Sequence, residues 1–150
     1  MVQPYTVDVL PNRNIPHPYP SGERLFSLLD SLWSSIGWRE RGEAKWREAL
    51  DHSRYCAYAR IDTALVGFGR FVGDGTMGMF YDIGVHPAHQ RKGVGRTLMT
   101  KLLDKVRDSG YASLGLFAWE YNPGNIAFYQ SLGFERVSTG MECIPYMRRE

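Results

Sequence analysis

The sequence predicts an α/β (α+β) domain, built on a mixed, mostly antiparallel sheet of six to seven strands with about four covering helices. Three strand-like runs follow one another across turns of two or three residues, too short for anything but antiparallel pairing. Runs with an apolar period near 3.6 lie before and after them. One of these separates the third strand from a further apolar run, and such a helical crossover allows a parallel pair. The chain has 150 residues, 43% hydrophobic and 23% charged, which suits one core and a single domain spanning residues 1–150.

Residues 5–10 alternate weakly and read as an opening strand, whereas residues 11–20 contain four prolines and read as a loop. Ser21 is placed to cap a helix whose apolar stripe is Leu25, Phe26, Leu28, Leu29, Leu32, Trp33 and Ile36, ending at Gly37. Residues 43–50 form a shorter, more polar helix with Trp46, Ala49 and Leu50 inward. The three strands are residues 54–60, 64–72 and 77–85, joined by Asp62 and Thr63 and by the turn at Gly73, Asp74 and Gly75. Leu98, Met99, Leu102, Leu103 and Val106 mark the next helix, which stops at Ser109 and Gly110. Residues 111–118 are a short apolar run, consistent with a buried strand. Asn122 and Pro123 have the chemistry of a helix start, with Ile126, Phe128 and Leu132 following up to Gly133. Residues 134–138 and 141–147 are expected to pair as a closing hairpin across Thr139 and Gly140, with Pro145 near an edge or bulge.

Several function classes are disfavoured. No apolar stretch approaches about 18 residues and the first residues lack a signal-peptide layout, so a cytoplasmic protein without a membrane partner is expected. Cys56 and Cys143 have no metal-like or redox spacing and read as reduced thiols. A net charge of +2 gives no basis for a nucleic-acid groove, although a local basic cluster can still hold a polyanion.

Such a cluster lies at His86, Pro87, Ala88, His89, Gln90, Arg91, Lys92, Gly93, Val94, Gly95 and Arg96, between a strand and a helix. A turn leading straight into a helix presents consecutive free N–H groups and the positive end of the helix dipole, which suit a phosphate or pyrophosphate. Gly93 and Gly95 remove obstructing side chains, and Arg91, Lys92 and Arg96 add attraction. A Walker loop is excluded because Arg96 follows Gly95 where lysine is required; the three-glycine dinucleotide fingerprint fails at Leu98. The remaining pattern, with Gln90, Gly93 and Gly95 at its defining positions, resembles motif A of the GNAT acetyltransferases. Tyr81, Asp82, Ile83, Gly84, Val85, His86 and Pro87 look like that family's fourth strand, and Asn125, Ile126, Ala127, Phe128, Tyr129 with Gly133 and Phe134 resemble its motif B.

The resemblance implies acetyl-CoA as cosubstrate and no metal. Gln90, Arg91, Lys92, Gly93, Val94, Gly95 and Arg96 would wrap its pyrophosphate. Ile83, Gly84 and Val85 would offer main-chain groups to the pantetheine arm from a strand splayed away from the next one, with the Val85 N–H the candidate for the oxyanion. Asn125 would bind the same arm, or is simply an exposed first-turn residue. Tyr129 is either a general acid for the departing thiolate or a core ring. Asp82 either receives the substrate ammonium and its proton or is a paired structural carboxylate; Glu120 and Glu142 are weaker candidates. His86 and His89 are three apart, but Pro87 breaks the helix that such a metal pair needs. Trp33, Trp38, Trp46 and Tyr58 flank the region where acceptor pockets form in this family; most read as core, and one or two in a cleft would suit an aromatic or hydrophobic amine. The implied function is direct acetyl transfer to the primary amine of a small molecule, the alternatives being a protein or peptide acetyltransferase and a non-catalytic acyl-CoA-binding module. The closing strands are also where a homodimer would form.

Overall fold

A computed structural model describes residues 5–11, 22–118 and 122–137 of the chain. In order these form β1 (Thr6–Pro11), α1 (Gly22–Ile36), α2 (Glu43–Asp51), β2 (Tyr55–Ile61), β3 (Ala64–Gly73), β4 (Met77–Val85), a 3-10 turn (Pro87–His89), α3 (Val94–Asp108), β5 (Ser113–Leu116) and α4 (Pro123–Ser131). The chain divides into two compact units, Met1–Leu116 and Phe117–Glu150.

The first unit holds one sheet in the order β1-β2-β3-β4-β5. β1 to β4 are antiparallel neighbours and β4 with β5 is parallel, as the short turns and the helical crossover predict. Among the described residues the sheet has five strands, not six to seven. Residues 134–137 are not a strand: Phe134 N–H folds back onto the Tyr129 carbonyl and Gly133 takes φ +98°, so the chain there is still terminating α4. The rest of the expected closing hairpin, with Cys143, Glu142 and Pro145, lies outside the described residues, as do Ser21 and residues 12–20 of the proline-rich loop. β5 is four residues long and half-buried rather than buried. Among the described residues it has one strand neighbour, which leaves its other edge uncovered by sheet.

The middle of β3 determines how the sheet is covered. Successive side chains on a strand point to opposite faces, so Phe68 faces one way and Gly67 and Gly69 the other. On the Phe68 face lie Trp33 of α1 and Trp46 of α2, with ring centroids 6.0 and 5.8 Å from Phe68 and 4.9 Å from each other. Leu25, Leu29, Leu32, Leu50, Cys56 and Tyr58 complete that core. On the opposite face a Cβ at Gly67 would come 2.9 Å from Leu98 Cδ1 and 3.3 Å from Val94 Cγ1. The missing side chain therefore allows α3 to lie close to the sheet, with Leu98, Met99, Leu102 and Val106 fully buried. Burial also pushes the Cys56 thiol up to about 11, which makes it an inert core group.

At the far end of β4, Gly78 is roofed by the Phe71 ring, itself packed on Phe80 and Tyr111. A Cβ at Gly78 would sit 2.1 Å from Phe71 Cζ and 2.9 Å from the Val72 carbonyl oxygen. Gly78→Ala is therefore expected to destabilise the fold by about 1–3 kcal/mol, the usual cost of overpacking. Urea unfolding against wild type checks it; an unchanged midpoint contradicts the packing described.

Candidate functional site

The turn between β4 and α3 is held open by its own chemistry. His86 Nδ1 accepts from the Ala88 N–H, and the His89 and Gln90 N–H groups bond back to the carbonyls of His86 and Pro87. Gln90 then reaches backward, its Nε2 donating to the Val85 carbonyl at 3.0 Å. Arg91 and Gly93 both take positive φ, 61° and 84°, which turns the chain sharply into α3. The first helical main-chain bond is Thr97 N–H to Gly93 O at 3.0 Å. As a result the N–H groups of Arg91, Lys92, Gly93, Val94 and Gly95 donate to no described residue. Five consecutive donors stand at the positive end of a 15-residue helix. Arg91, Lys92 and Arg96 are exposed around them.

A pair of hydroxyls braces this turn, and sequence reasoning did not find it. Thr97 Oγ1 donates to Gly93 O at 3.0 Å, and Tyr5 Oη lies 2.9 Å from Thr97 Oγ1. With its own proton committed, the threonine accepts from the tyrosine, which ties the start of β1 to the start of α3.

β4 is irregular where the sequence placed the pantetheine strand. Its pairing with β3 runs Val85 to Gly67 and Gly84 to Phe68, then slips, with Tyr81 opposite Arg70. Asp82 and Ile83 together oppose Gly69, which is a β-bulge, and Asp82 adopts φ +58°. The ladder with β5 ends earlier, at Phe80 and Leu116. Residues 81–85 thus continue along β3 with no partner in β5, which itself ends at Leu116. His86 N–H donates to Val66 O at 2.8 Å, so the alternation of an antiparallel ladder turns the Val85 N–H toward the unpaired edge. Ile83 covers Gly69 on the α3 face, and Gly84 is buried beneath Ile36 and Trp38 of the opposite face.

Asp82 is clamped. Arg41 from the α1–α2 connection donates to both of its oxygens at 2.6 and 2.7 Å, and Arg70 Nε donates at 2.6 Å. Burial alone would raise the pKa of this carboxyl, but the hydrogen bonds and charges of Arg41 and Arg70 outweigh it and hold the group below the usual carboxylate value. Both oxygens are occupied and the proton affinity is low, which are the attributes of a paired structural carboxylate. Arg41 also lies 4.5 Å over the Trp46 ring, and its loop is fastened by Asp30, which accepts from the N–H groups of Arg41 and Gly42 and from Trp46 Nε1. Neither arginine was singled out from the sequence; Arg70 and Asp82 are polar residues on otherwise apolar strands, whereas Arg41 lies in a polar loop that carries no such signal.

Beside this clamp is an open depression of ≈ 640 Å³ lined by Trp33, Gly37, Trp38, Arg39, Glu40, Arg41 and Asp82. Of the four aromatic residues expected near an acceptor site, Trp33, Trp46 and Tyr58 are core, while Trp38 is 43% exposed.

In the second unit, Asn122 caps α4 by accepting from the Asn125 N–H at 3.1 Å. Asn125 is half-buried and shares a helix side with Tyr129 at i, i+4. Tyr129 is buried, with Phe128 and Phe134 edge-on at 5.2 and 6.0 Å. Burial pushes its phenol up to about 12, so it keeps its proton throughout the neutral range. Glu120 lies outside the described residues.

The profile of the Acetyltransferase (GNAT) family matches residues 22–134. The chain is similar to an uncharacterized N-acetyltransferase, ycf52-like, of Prochlorococcus marinus, 33% identical over 120 residues, covering 77% of this chain and 65% of that protein. It is 31% identical over 111 residues to the chloroplastic Serotonin N-acetyltransferase 2 of Oryza sativa, covering 71% of this chain and 54% of that one. The structure of a GNAT family acetyltransferase from Streptococcus pneumoniae superposes with a TM-score of 0.75 at 28% identity, over 95% of this chain and 99% of that one. The chain therefore spans between half and two thirds of the length of these two curated relatives.

The Asp82 clamp has a pH signature. A carboxyl whose pKa is lowered by folding stabilises the native state fully above its unfolded value, near pH 4, and loses that contribution as the pH falls through the folded value. Acidification from pH 5 to pH 3 should therefore lower the urea midpoint of wild type more than that of Arg41→Gln, which already lacks one partner. Equal acid sensitivity of the two proteins contradicts the clamp.

Proposed function

Since this chain belongs to the GNAT acetyltransferase family, we propose that it moves the acetyl group of acetyl-CoA to the primary amine of a small molecule by direct attack. The observation that carries the reading is the row of five main-chain donors, Arg91 to Gly95, at the start of α3. A diphosphate supplies the acceptors that such a row lacks, and the helix dipole with Arg91, Lys92 and Arg96 favours its charge. Gln90 serves the same site indirectly by fixing the turn to the Val85 carbonyl.

The unpaired edge at residues 81–85 suits the pantetheine arm, an amide chain that hydrogen-bonds like an added strand. Ile83 and Gly84 shape that edge through the bulge, and the outward Val85 N–H donates to the carbonyl oxygen as charge develops on it. Asn125, in the second unit, keeps in this reading the role that the resemblance implies, a side-chain amide for the pantetheine arm. Tyr129, neutral at physiological pH, is the donor for the departing thiolate. Asp82 supports this chemistry by holding the bulge through Arg41 and Arg70, and the amine proton leaves through water. Because the depression beside β4 is open, an amine borne on a peptide is the second reading; acceptor-dependent CoA release from amines against peptides separates the two.

Acetyl-CoA at about a hundredfold over its dissociation constant should stabilise the protein by about 2.7 kcal/mol, read as a rise in thermal midpoint. Gly93→Val, which forces a branched side chain into φ +84°, should fold yet lose most of that shift. A wild-type protein with no shift sinks the reading. Tyr129→Phe should lower kcat about 10²- to 10⁴-fold with acetyl-CoA affinity unchanged; retained turnover leaves Tyr129 a packing residue.

A further inference from the structure

The depression beside β4 is lined by seven residues, and most of their polar chemistry is already used within the protein. Arg41 and Asp82 neutralise one another, with Arg70 behind them and Asp30 tying down the Arg41 main chain. Trp33 is 2% exposed and belongs to the core. Three consecutive side chains remain. Trp38 is 43% exposed, and where its ring meets the interior it lies against Gly84 of β4, 3.3 Å from where a Cβ would be. Arg39 makes no ion pair or hydrogen bond with any described residue. Glu40 accepts a hydroxyl proton from Ser34 at 2.8 Å on one oxygen and has no cationic partner among the described residues.

An indole face beside a guanidinium and a carboxylate that no described residue pairs with opposite charge is the complement of a particular ligand. We infer that the acceptor is a zwitterion: a primary amine that also carries a carboxylate, on an aromatic or bulky apolar body. The ammonium pairs with the free Glu40 oxygen, the carboxylate takes the planar fork of Arg39, and the apolar body lies on Trp38. The placement is consistent with the reaction because Trp38 abuts Gly84, next to the main-chain donor at Val85. The ammonium first loses one proton to water. Its nitrogen then attacks the thioester carbonyl, and as the N–C bond forms and the C–S bond breaks the nitrogen gives up its second proton while the thiolate takes one up, so that a neutral amide and the CoA thiol result. A monocationic amine satisfies Glu40 but leaves Arg39 without a counter-charge, and a simple carboxylic acid does the reverse.

This assignment rests on the acetyltransferase reading for its chemistry but is tested by binding, so that the two can fail separately. Three probes share one aromatic body: L-phenylalanine, phenethylamine and 3-phenylpropionate. Each is titrated into the full chain saturated with CoA, with calorimetry as readout, for wild type, Arg39→Gln and Glu40→Gln. Wild type should bind phenylalanine roughly two- to fivefold more tightly than either singly charged probe, the worth of one exposed ion pair in each case. Arg39→Gln should remove the advantage over phenethylamine and leave that over 3-phenylpropionate; Glu40→Gln should do the opposite. The inference is overturned if phenethylamine matches phenylalanine in wild type, if the preference survives both substitutions, or if no probe binds. A protein whose midpoint rises with acetyl-CoA but which shows no zwitterion preference loses only this inference, whereas one that shows the preference without the rise loses the transferase reading instead.

Discussion

β4 has to satisfy two demands that conflict. It pairs with β3 to complete the sheet, and in the reading we propose it also keeps free one edge of its last five residues, which have no strand neighbour there among the described residues. A bulge reconciles them, since one extra residue bends and twists the strand away from the next without breaking the first pairing. The bulge places Asp82 at a positive φ, a conformation that aspartate tolerates better than most residues but that still costs energy. Arg41 and Arg70 offset that cost by making Asp82 the meeting point of β3, β4 and the α1–α2 connection. Their side chains are 31% and 16% exposed and that of Asp82 13%, so removing any one member strands charge in a poorly hydrated place. The edge to which we assign the pantetheine arm is therefore fixed by a polar strut set on the opposite side of the sheet from α3.

The donor turn is fixed from the other face by apolar packing. Val94 is buried at the first position of α3, and its Cγ1 and the Leu98 side chain occupy the space left by the missing side chain of Gly67. The start of the helix cannot slide without unpacking the core, so the N–H groups that precede it are held in place before any ligand arrives. Tyr5 and Thr97 add a hydroxyl relay on the Gly93 carbonyl, holding that oxygen on the helix side of its peptide and away from the row of donors. Two structural origins, a charged strut on one face and a glycine-permitted helix contact on the other, converge on the short stretch from Asp82 to Gly95.

Elements with strong local signals were legible in the sequence. The antiparallel meander follows from turns two or three residues long, α1 and α3 from unbroken apolar stripes, and the donor turn from glycines flanked by basic residues at a strand-to-helix junction. The bulge was not legible, because nothing in the string Tyr81, Asp82, Ile83 distinguishes a slipped register from a regular one; it emerges only from the pairing of Tyr81 and Gly84 with β3. The partners of Asp82 come from 12 and 41 residues away in sequence, a separation that no local period records. The six- or seven-strand estimate failed at residues 134–137 because an apolar and charged mixture that can alternate as a strand is also compatible with the Gly133 cap, and the helix used it that way.

The two ionisable groups first considered for proton transfer are driven in opposite directions by their surroundings, in keeping with the roles we propose for them. Asp82 gains two guanidinium partners and becomes a stronger acid, while Tyr129 gains only burial and becomes a weaker one. A group that rarely binds a proton is a poor base for an ammonium, and one that rarely releases its proton is a sound reservoir for a thiolate that needs it. In the transfer we propose, the protein would supply the proton that the leaving group takes up and leave to solvent the one that the amine gives away. That division fits an open depression beside β4, where water reaches the acceptor directly and a dedicated base would gain little over it.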